Sequence, residues 1–216
     1  MARITRRTFM PLLGAGLAAP AVLFSSSAGA DEAIGTVVRL QNFASATTNL
    51  SDRVLNVGDP IFRNDRVFTG PDARLELSFV DETSLTLGGD ATIEISSFVF
   101  DGTGGKAGWE MLAGAFAMTT GLIGKNNPEN VAITTPVSTI GIRGTSFWGG
   151  PINAEQYGVL ILDGAVIVTT AVGSVTLDDV GEGTKIDTAT GLPSLPNAWS
   201  DDLVAQAVAS ITFAED

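Results

Sequence analysis

The sequence predicts an all-β fold, an antiparallel β-sandwich or β-roll followed by a short C-terminal helix. Three observations support this prediction. Val, Ile and Thr, which favour strands, dominate the apolar runs. Apolar and polar residues alternate with a period of two along much of the chain, as in half-buried antiparallel strands. Glycine occurs 25 times, and several of its clusters with Pro, Asn or Asp are typical of turns.

The first 30 residues predict a cleavable export leader. Arg6 and Arg7 lie in the segment Thr5-Arg6-Arg7-Thr8-Phe9-Met10, which resembles a twin-arginine export motif. A moderately apolar segment follows and ends in small residues, which predicts cleavage after Ala30. That segment is shorter than the roughly 20 residues that span a bilayer, and an uncleaved membrane anchor is the alternative. We expect no transmembrane span after the leader is removed.

Composition excludes several classes of function. Removing the leader, which carries three arginines and no acid, takes the net charge from −12 to −15. A field of this sign repels nucleic acid, which we exclude as a partner, and favours cationic partners. The chain has no Cys and no His, so disulfides, thiol nucleophiles and His-based catalytic or metal sites are absent. We expect no cofactor and no metal, although the acidic loop 178–182 offers oxygen ligands of the kind that calcium prefers.

Alternation and turn signals define the strands of the first half. Residues 74–80, 84–87 and 92–95 keep a period of two, which predicts a meander of half-buried antiparallel strands. The polar segment 41–52 is expected to be a loop or an irregular hairpin. The strands expected in this half cover residues 33–40, 54–60, 65–69, 74–80, 84–87 and 92–95.

The second half continues as strands and ends in a helix. Residues 108–118 are predicted as a strand, because Gly114 in their middle disfavours a helix. Ser200 is the predicted N-cap of the C-terminal helix, and apolar residues follow it with helical spacing. We expect this helix to dock on the sheet as a lid, with partner binding as the alternative. The further strands expected cover 131–135, 138–143, 158–162, 165–170, 174–178 and 184–187.

One segment, 135–147, is especially informative, because it places the cation Arg143 between two glycines in an apolar, β-branched run. Together with blocks at 57–70, 73–87 and 162–166, it resembles FecR-type domains, the extracytoplasmic sensing domains of bacterial envelope proteins. The residues that carry this resemblance most directly are Gly58, Asp59, Thr135, Pro136, Ile142, Arg143, Gly144, Thr145, Asp163 and Gly164.

The resemblance covers roughly residues 34–187 and implies an all-β extracytoplasmic domain. In iron-uptake signalling systems, such a domain sits on a transmembrane regulator and relays the state of an outer-membrane transporter to a cytoplasmic sigma factor. This sequence shows no spanning segment after its leader, so only the extracytoplasmic interaction role carries over. We therefore divide the chain into a leader at 1–30, an FecR-like domain at 31–187, and a linker with a C-terminal helix at 188–216.

Arg143 needs a hydrogen-bond partner if it is buried, because an unpaired buried charge is costly. Ser146 stands where an acid is common in the family, so the partner has to come from elsewhere. We expect Asp163 to be that partner. Arg143 would then be a structural cross-link, with recognition of a ligand as the alternative.

The leading functional hypothesis is an exported, non-enzymatic module in the periplasm or at the cell surface. It would bind an envelope protein, or act as a sensor, in envelope signalling. One alternative is a binder of a small molecule or an envelope polysaccharide. The other is a hydrolase that uses carboxylates alone, with Asp81, Glu82, Glu94 and Glu110 as its candidate residues.

Overall fold

The computed structural model describes residues 32–48 and 51–214, and the predicted export motif and cleavage position lie outside them. Two helices occur in this part of the chain, α1 (Leu122–Asn126) and α2 (Asp201–Ala209). Neither has the length and apolar character needed to cross a membrane. The strands are β1 (Ala33–Gln41), β2 (Ala44–Thr48), β3 (Ser51–Val54), β4 (Pro60–Phe62), β5 (Arg66–Thr69), β6 (Arg74–Phe79), β7 (Ser84–Leu87), β8 (Thr92–Phe100), β9 (Gly105–Ala113), β10 (Phe116–Thr119), β11 (Val131–Thr134), β12 (Thr139–Pro151), β13 (Gln156–Thr169), β14 (Ser174–Leu177), β15 (Glu182–Asp187) and β16 (Asn197–Ala198).

The long hairpin of β12 and β13 is the central element of the sheet. On one side, β12 pairs with β13 along its whole length, from Thr139 opposite Thr169 to Pro151 opposite Tyr157. On its other side, the first half of β12 pairs with β11 and the second half pairs with β10. The sheet therefore divides into two branches at the middle of β12.

The two branches curl towards each other and enclose the core. One runs through β11, β9, β8, β5, β2 and β3, and the other through β10, β7, β6, β1 and β4. The pairing of β11 with β9 is parallel, and the other pairings of these strands are antiparallel. The all-β prediction, with a sheet rolled on itself, is confirmed.

An aromatic cluster joins the two branches across the core. Phe79 on β6 stacks on Phe98 of β8, with ring centroids 5.4 Å apart. The edge of Trp109 on β9 meets Phe79 at 5.5 Å. Each such pair contributes about 0.5–1.5 kcal/mol beyond its buried area. Because Phe79 belongs to one branch and its partners to the other, these contacts hold the rolled sheet closed.

The meander predicted over 74–95 is only partly correct. β6 and β7 pair as expected, with Leu75 opposite Leu87. β8, however, pairs with β5 and β9 in the other branch. The chain crosses from one branch to the other between β7 and β8, and Thr69 holds this connection. Its hydroxyl donates to the carbonyl of Gly88 at 2.7 Å and accepts the N–H of Ala91 at 2.9 Å. A period of two therefore predicted the buried face of β8 but not its neighbours.

Three further expectations are refined by the structure. The segment 41–52 contains the hairpin of β2 and β3, so the hairpin alternative is confirmed. The strand predicted at 108–118 is broken at Gly114 into β9 and β10. Strands β12 and β13 are longer than expected and run continuously through the segments around Arg143 and Asp163.

The C-terminal helix docks on the outer face of the hairpin, as the lid interpretation predicts. The N–H of Leu203 donates to the Ser200 side chain at 3.4 Å, which confirms the predicted N-cap. Trp148 of β12 donates from Nε1 to Ser210 Oγ at 3.0 Å, and its ring meets that of Trp199 at 5.9 Å. The two tryptophans, with Ala115, Leu160 and Ala207, form a second and smaller apolar cluster, and Leu203 packs against it.

Candidate functional site

The hairpin of β12 and β13 bends sharply where its register shifts between Arg143 and Ser146. Two glycines with positive φ meet at this bend, Gly144 at 54° and Gly164 at 78°. A Cβ atom on Gly164 would lie 2.5 Å from the carbonyl oxygen of Gly144, which is too close for any other residue without a shift of the backbone. The Ile-Arg-Gly-Thr segment therefore forms a β-bulge opposite Gly164.

Thr145 ties this bulge to its surroundings. Its N–H donates to Thr120 Oγ1 at 2.9 Å, and its carbonyl accepts the N–H of Thr120 at 3.0 Å. Its hydroxyl donates to the backbone carbonyl of Asp163. Ile142, on the opposite face, is only 2% exposed and packs in the core. Thr145, Gly164 and Ile142 thus hold the bulge, and the side chain of Arg143 is left pointing outward.

Arg143 is exposed, and among the described residues it forms no ion pair. The expected pair with Asp163 is wrong, because the register places Ala165 opposite Arg143 and Ser146 opposite Asp163. Ser146 instead shares a hydrogen bond of 2.8 Å with Thr119. Arg143 is exposed to solvent, so the premise that a buried guanidinium needs a protein partner does not apply.

A groove of about 310 Å³ lies beside Arg143 on the outer face of the sheet. Its floor is one cross-strand row, in which Ala132 is opposite Gly141 and Gly141 is opposite Ile167. Pro128 and Glu129 from the turn before β11 also line it. The groove therefore combines a small apolar floor with a fixed cation, and it has a carboxylate in its lining.

No packing contact explains why position 141, in the floor of this groove, is a glycine. A Cβ there would meet only the carbonyl oxygen of Ile167, at 3.8 Å, which is an ordinary contact. A glycine inside a strand weakens it, and usually marks a bulge or a place where another group approaches closely. The bulge lies further along, at Gly144, so it does not account for the glycine at position 141.

The other residues of the predicted signature shape turns. Asp59 accepts the backbone N–H of Asn56 at 2.7 Å, and the N–H of Gly58 donates to the carbonyl of Val37 at 2.8 Å. Thr135 Oγ1 accepts the N–H of Ser138 at 3.0 Å in the turn that contains Pro136. These hydrogen bonds position the strand ends and give Gly58, Asp59 and Thr135 a structural role.

The burial of two carboxylates, Asp65 and Asp81, was not predicted from the sequence. Asp65 is fully buried, and Arg53 binds it with both terminal nitrogens, while the N–H of Phe62 donates to it at 2.8 Å. Asp81 is equally buried and accepts the hydroxyl of Thr83 at 2.9 Å. Acids at turns are usually solvated, so only the fold reveals that these two lie inside.

Two of the four acids proposed for hydrolysis, Asp81 and Glu94, are engaged by other groups. Asp81 accepts hydrogen bonds from its own turn. Glu94 lies opposite Glu110 on the neighbouring strand, but Arg66 binds Glu94 at 2.8 Å. Glu82 is exposed in the turn before β7. This arrangement gives no support to a carboxylate-only hydrolase.

The acidic loop considered for calcium brings three carboxylates together. Oxygens of Asp178, Asp179 and Glu182 lie within 4.8 Å of one another. Asp178 and Asp179 are exposed. Exposed acidic clusters are common without an ion, so we assign no metal here.

Comparison with known proteins supports the resemblance in its central part. Residues 65–167 match the family described as FecR protein, so Gly58 and Asp59 lie outside the match. No curated protein matches the sequence. Two crystal structures of a candidate anti-sigma factor from Parabacteroides distasonis ATCC 8503 have a similar fold, each with a TM-score of 0.54 at 15% identity. The similarity covers 65% of this chain and 62% of that protein, and at such identity it concerns the fold alone.

Proposed function

Because residues 65–167 form a FecR-type segment, we propose that this protein is a non-enzymatic module of envelope signalling that binds another protein through the groove beside Arg143. One observation carries this proposal: an exposed arginine, unpaired among the described residues, stands beside a groove that Gly141 keeps open. All the residues that form the groove, from Pro128 to Ile167, belong to the matched segment.

The chemistry of the groove defines the partner segment. A guanidinium presents five N–H donors in a planar fork that matches a carboxylate. The small floor at Ala132 and Gly141 admits an apolar side chain beside that carboxylate. Glu129 in the lining of the groove repels a second acid and attracts a base. We infer that the partner presents an exposed segment with an acidic residue and a neighbouring apolar residue.

The location follows from the leader. Export through Arg6 and Arg7, with cleavage after Ala30, delivers the domain to the periplasm or the cell surface. The partner is therefore an envelope protein, and a sigma factor in the cytoplasm is reached only through it. The strong negative charge keeps the domain soluble and repels nucleic acid and anionic lipid.

Affinity capture of the full chain from envelope extract tests the proposal, with three variants in parallel. Arg143→Ala removes the guanidinium, and Gly141→Val fills the groove with a residue that strands tolerate well. Thr36→Val is the matched control, because Thr36 is an exposed residue of β1, in the other branch of the sheet and outside the groove lining. Circular dichroism and the melting temperature establish that each variant is folded.

We expect one protein to bind the wild type and the Thr36→Val variant and to be lost from the other two variants. Loss of a charge-assisted hydrogen bond costs about 1.5–3 kcal/mol, or roughly 10- to 100-fold in affinity. The Arg143→Lys variant should recover part of the lost affinity, because lysine keeps the positive charge but lacks the planar guanidinium. A partner that binds all folded variants equally would refute the groove as its binding site.

A further inference from the structure

We propose that a cavity at the open end of the core, separate from the groove beside Arg143, binds a small uncharged ring compound that carries one hydrogen-bond acceptor. The cavity has a volume of about 290 Å³. Core residues Met111 and Tyr157 line it together with Val137 and the two prolines Pro136 and Pro151.

The bend of the hairpin creates this cavity. Pro136 and Val137 immediately precede β12, and Pro151 is its last residue. A straight strand rises about 3.3 Å per residue, so the ends of a straight strand of this length would be about 40 Å apart. Both ends line one cavity because β12 bends at the bulge near Gly144. The bend of β12 thus brings its two ends to one cavity, and loop residues Asn153, Ala154 and Thr188 complete the lining.

The lining selects an uncharged and largely apolar ligand. None of the 11 lining residues is charged, and the polar ones are Asn153, Gln156, Tyr157 and Thr188. An engineered apolar cavity of about 150 Å³ holds a benzene molecule. A cavity of about 290 Å³ therefore accommodates one ring with a short substituent.

Tyr157 supplies the hydrogen-bond donor. The residue is 7% exposed and lies on the core-facing side of β13 with Val159 and Ile161. Its hydroxyl is buried and has no hydrogen-bond partner among the described residues. Burial raises the pKa of Tyr157, so the hydroxyl stays protonated at neutral pH and can donate. Buried polar groups in proteins are nearly always satisfied. A small turn of the Tyr157 side chain towards the cavity would bring this hydroxyl to a ligand oxygen.

The single tyrosine of the chain provides a direct reporter of the site. The full chain is labelled with fluorotyrosine, which gives one fluorine resonance, and is titrated with acetophenone and with ethylbenzene. The two probes have similar size and shape, but only acetophenone carries a carbonyl acceptor. The methyl resonance of Met111 is a second reporter of binding. It also reports on the Tyr157→Phe variant, which no longer contains a tyrosine to label.

We expect saturable shifts of both reporters, with acetophenone binding about five- to tenfold more tightly, the value of one net hydrogen bond. The advantage of acetophenone should disappear in Tyr157→Phe. Ala113→Trp, which places a large side chain in the lining, should abolish binding of both probes, whereas Ala205→Trp on the exposed face of α2 should not.

Three results would overturn the proposal. The first is the absence of a saturable shift with either probe. The second is equal affinity for the two probes in the wild type. The third is binding that Ala113→Trp leaves intact. Arg143→Ala should leave probe binding unchanged, so this test is independent of the protein-binding function.

Discussion

Two glycines of the same hairpin should respond in opposite ways to alanine. Gly164 has φ of 78°, and its Cβ would lie 2.5 Å from the carbonyl oxygen of Gly144. Gly141 has an ordinary backbone conformation, and its Cβ would find its nearest neighbour at 3.8 Å. Gly164→Ala therefore strains the bulge, while Gly141→Ala only places a methyl group in open space.

The expected difference follows from two terms at Gly164. A left-handed conformation costs an L-residue about 1–2 kcal/mol. Overpacking against the backbone adds about 1–3 kcal/mol. Gly141→Ala should instead stabilise the strand by about 0.5–1 kcal/mol, because alanine loses less conformational freedom on folding. The two variants should therefore differ in the free energy of unfolding by about 2.5–6 kcal/mol.

Urea denaturation followed by tryptophan fluorescence measures this difference, and a thermal melt gives an independent value. For a domain of this size, 1 kcal/mol shifts the melting temperature by about 2–4 °C. Gly164→Ala should thus melt at least several degrees below Gly141→Ala. Equal stability of the two variants would show that the bulge does not require a glycine and would refute this account of the segment.

Three further predictions concern the core and the lid. Because burial raises the pKa of Tyr157, only the unfolded chain loses this proton above about pH 10. The free energy of unfolding should then fall by about 1.4 kcal/mol per pH unit, and tyrosinate absorbance should appear only as the fold is lost. Arg53→Met leaves Asp65 buried without its cation and should cost about 3–5 kcal/mol by urea denaturation, whereas Arg66→Met, in an exposed pair, should cost about 0–1 kcal/mol. Ser200→Ala removes the N-cap of α2 and should cost about 0.5–2 kcal/mol; an unchanged melting temperature would contradict the capping role.

The fold class was predictable because strand alternation is a local signal. Apolar positions such as Leu75 and Leu77 were assigned to the buried face from their spacing, and both are fully buried. The pairing of β8 was not predictable in this way. Its partners depend on the hydrogen bonds of Thr69 across the chain, which leave no mark in the spacing of apolar residues.

The unusual backbone around Arg143 was predictable from the sequence, but the surroundings of its side chain were not. The glycines around it correctly indicated an unusual backbone, and the bulge is there. The expected salt bridge with Asp163 failed, because the bulge shifts the register and leaves the guanidinium in water. A one-residue change of register moves a side chain to another neighbour or face, and the sequence does not encode that shift visibly.

Site-specific photo-crosslinking in the producing cells tests the central claim most directly. A photoreactive phenylalanine replaces Thr134, an exposed residue on the same strand face as Ala132, or Val57 as a control in an exposed turn outside the FecR segment. The account predicts one cross-linked protein from position 134, none from position 57, and loss of the adduct when Arg143→Ala is added. The same adduct from both positions, or an adduct that survives the loss of Arg143, would contradict it.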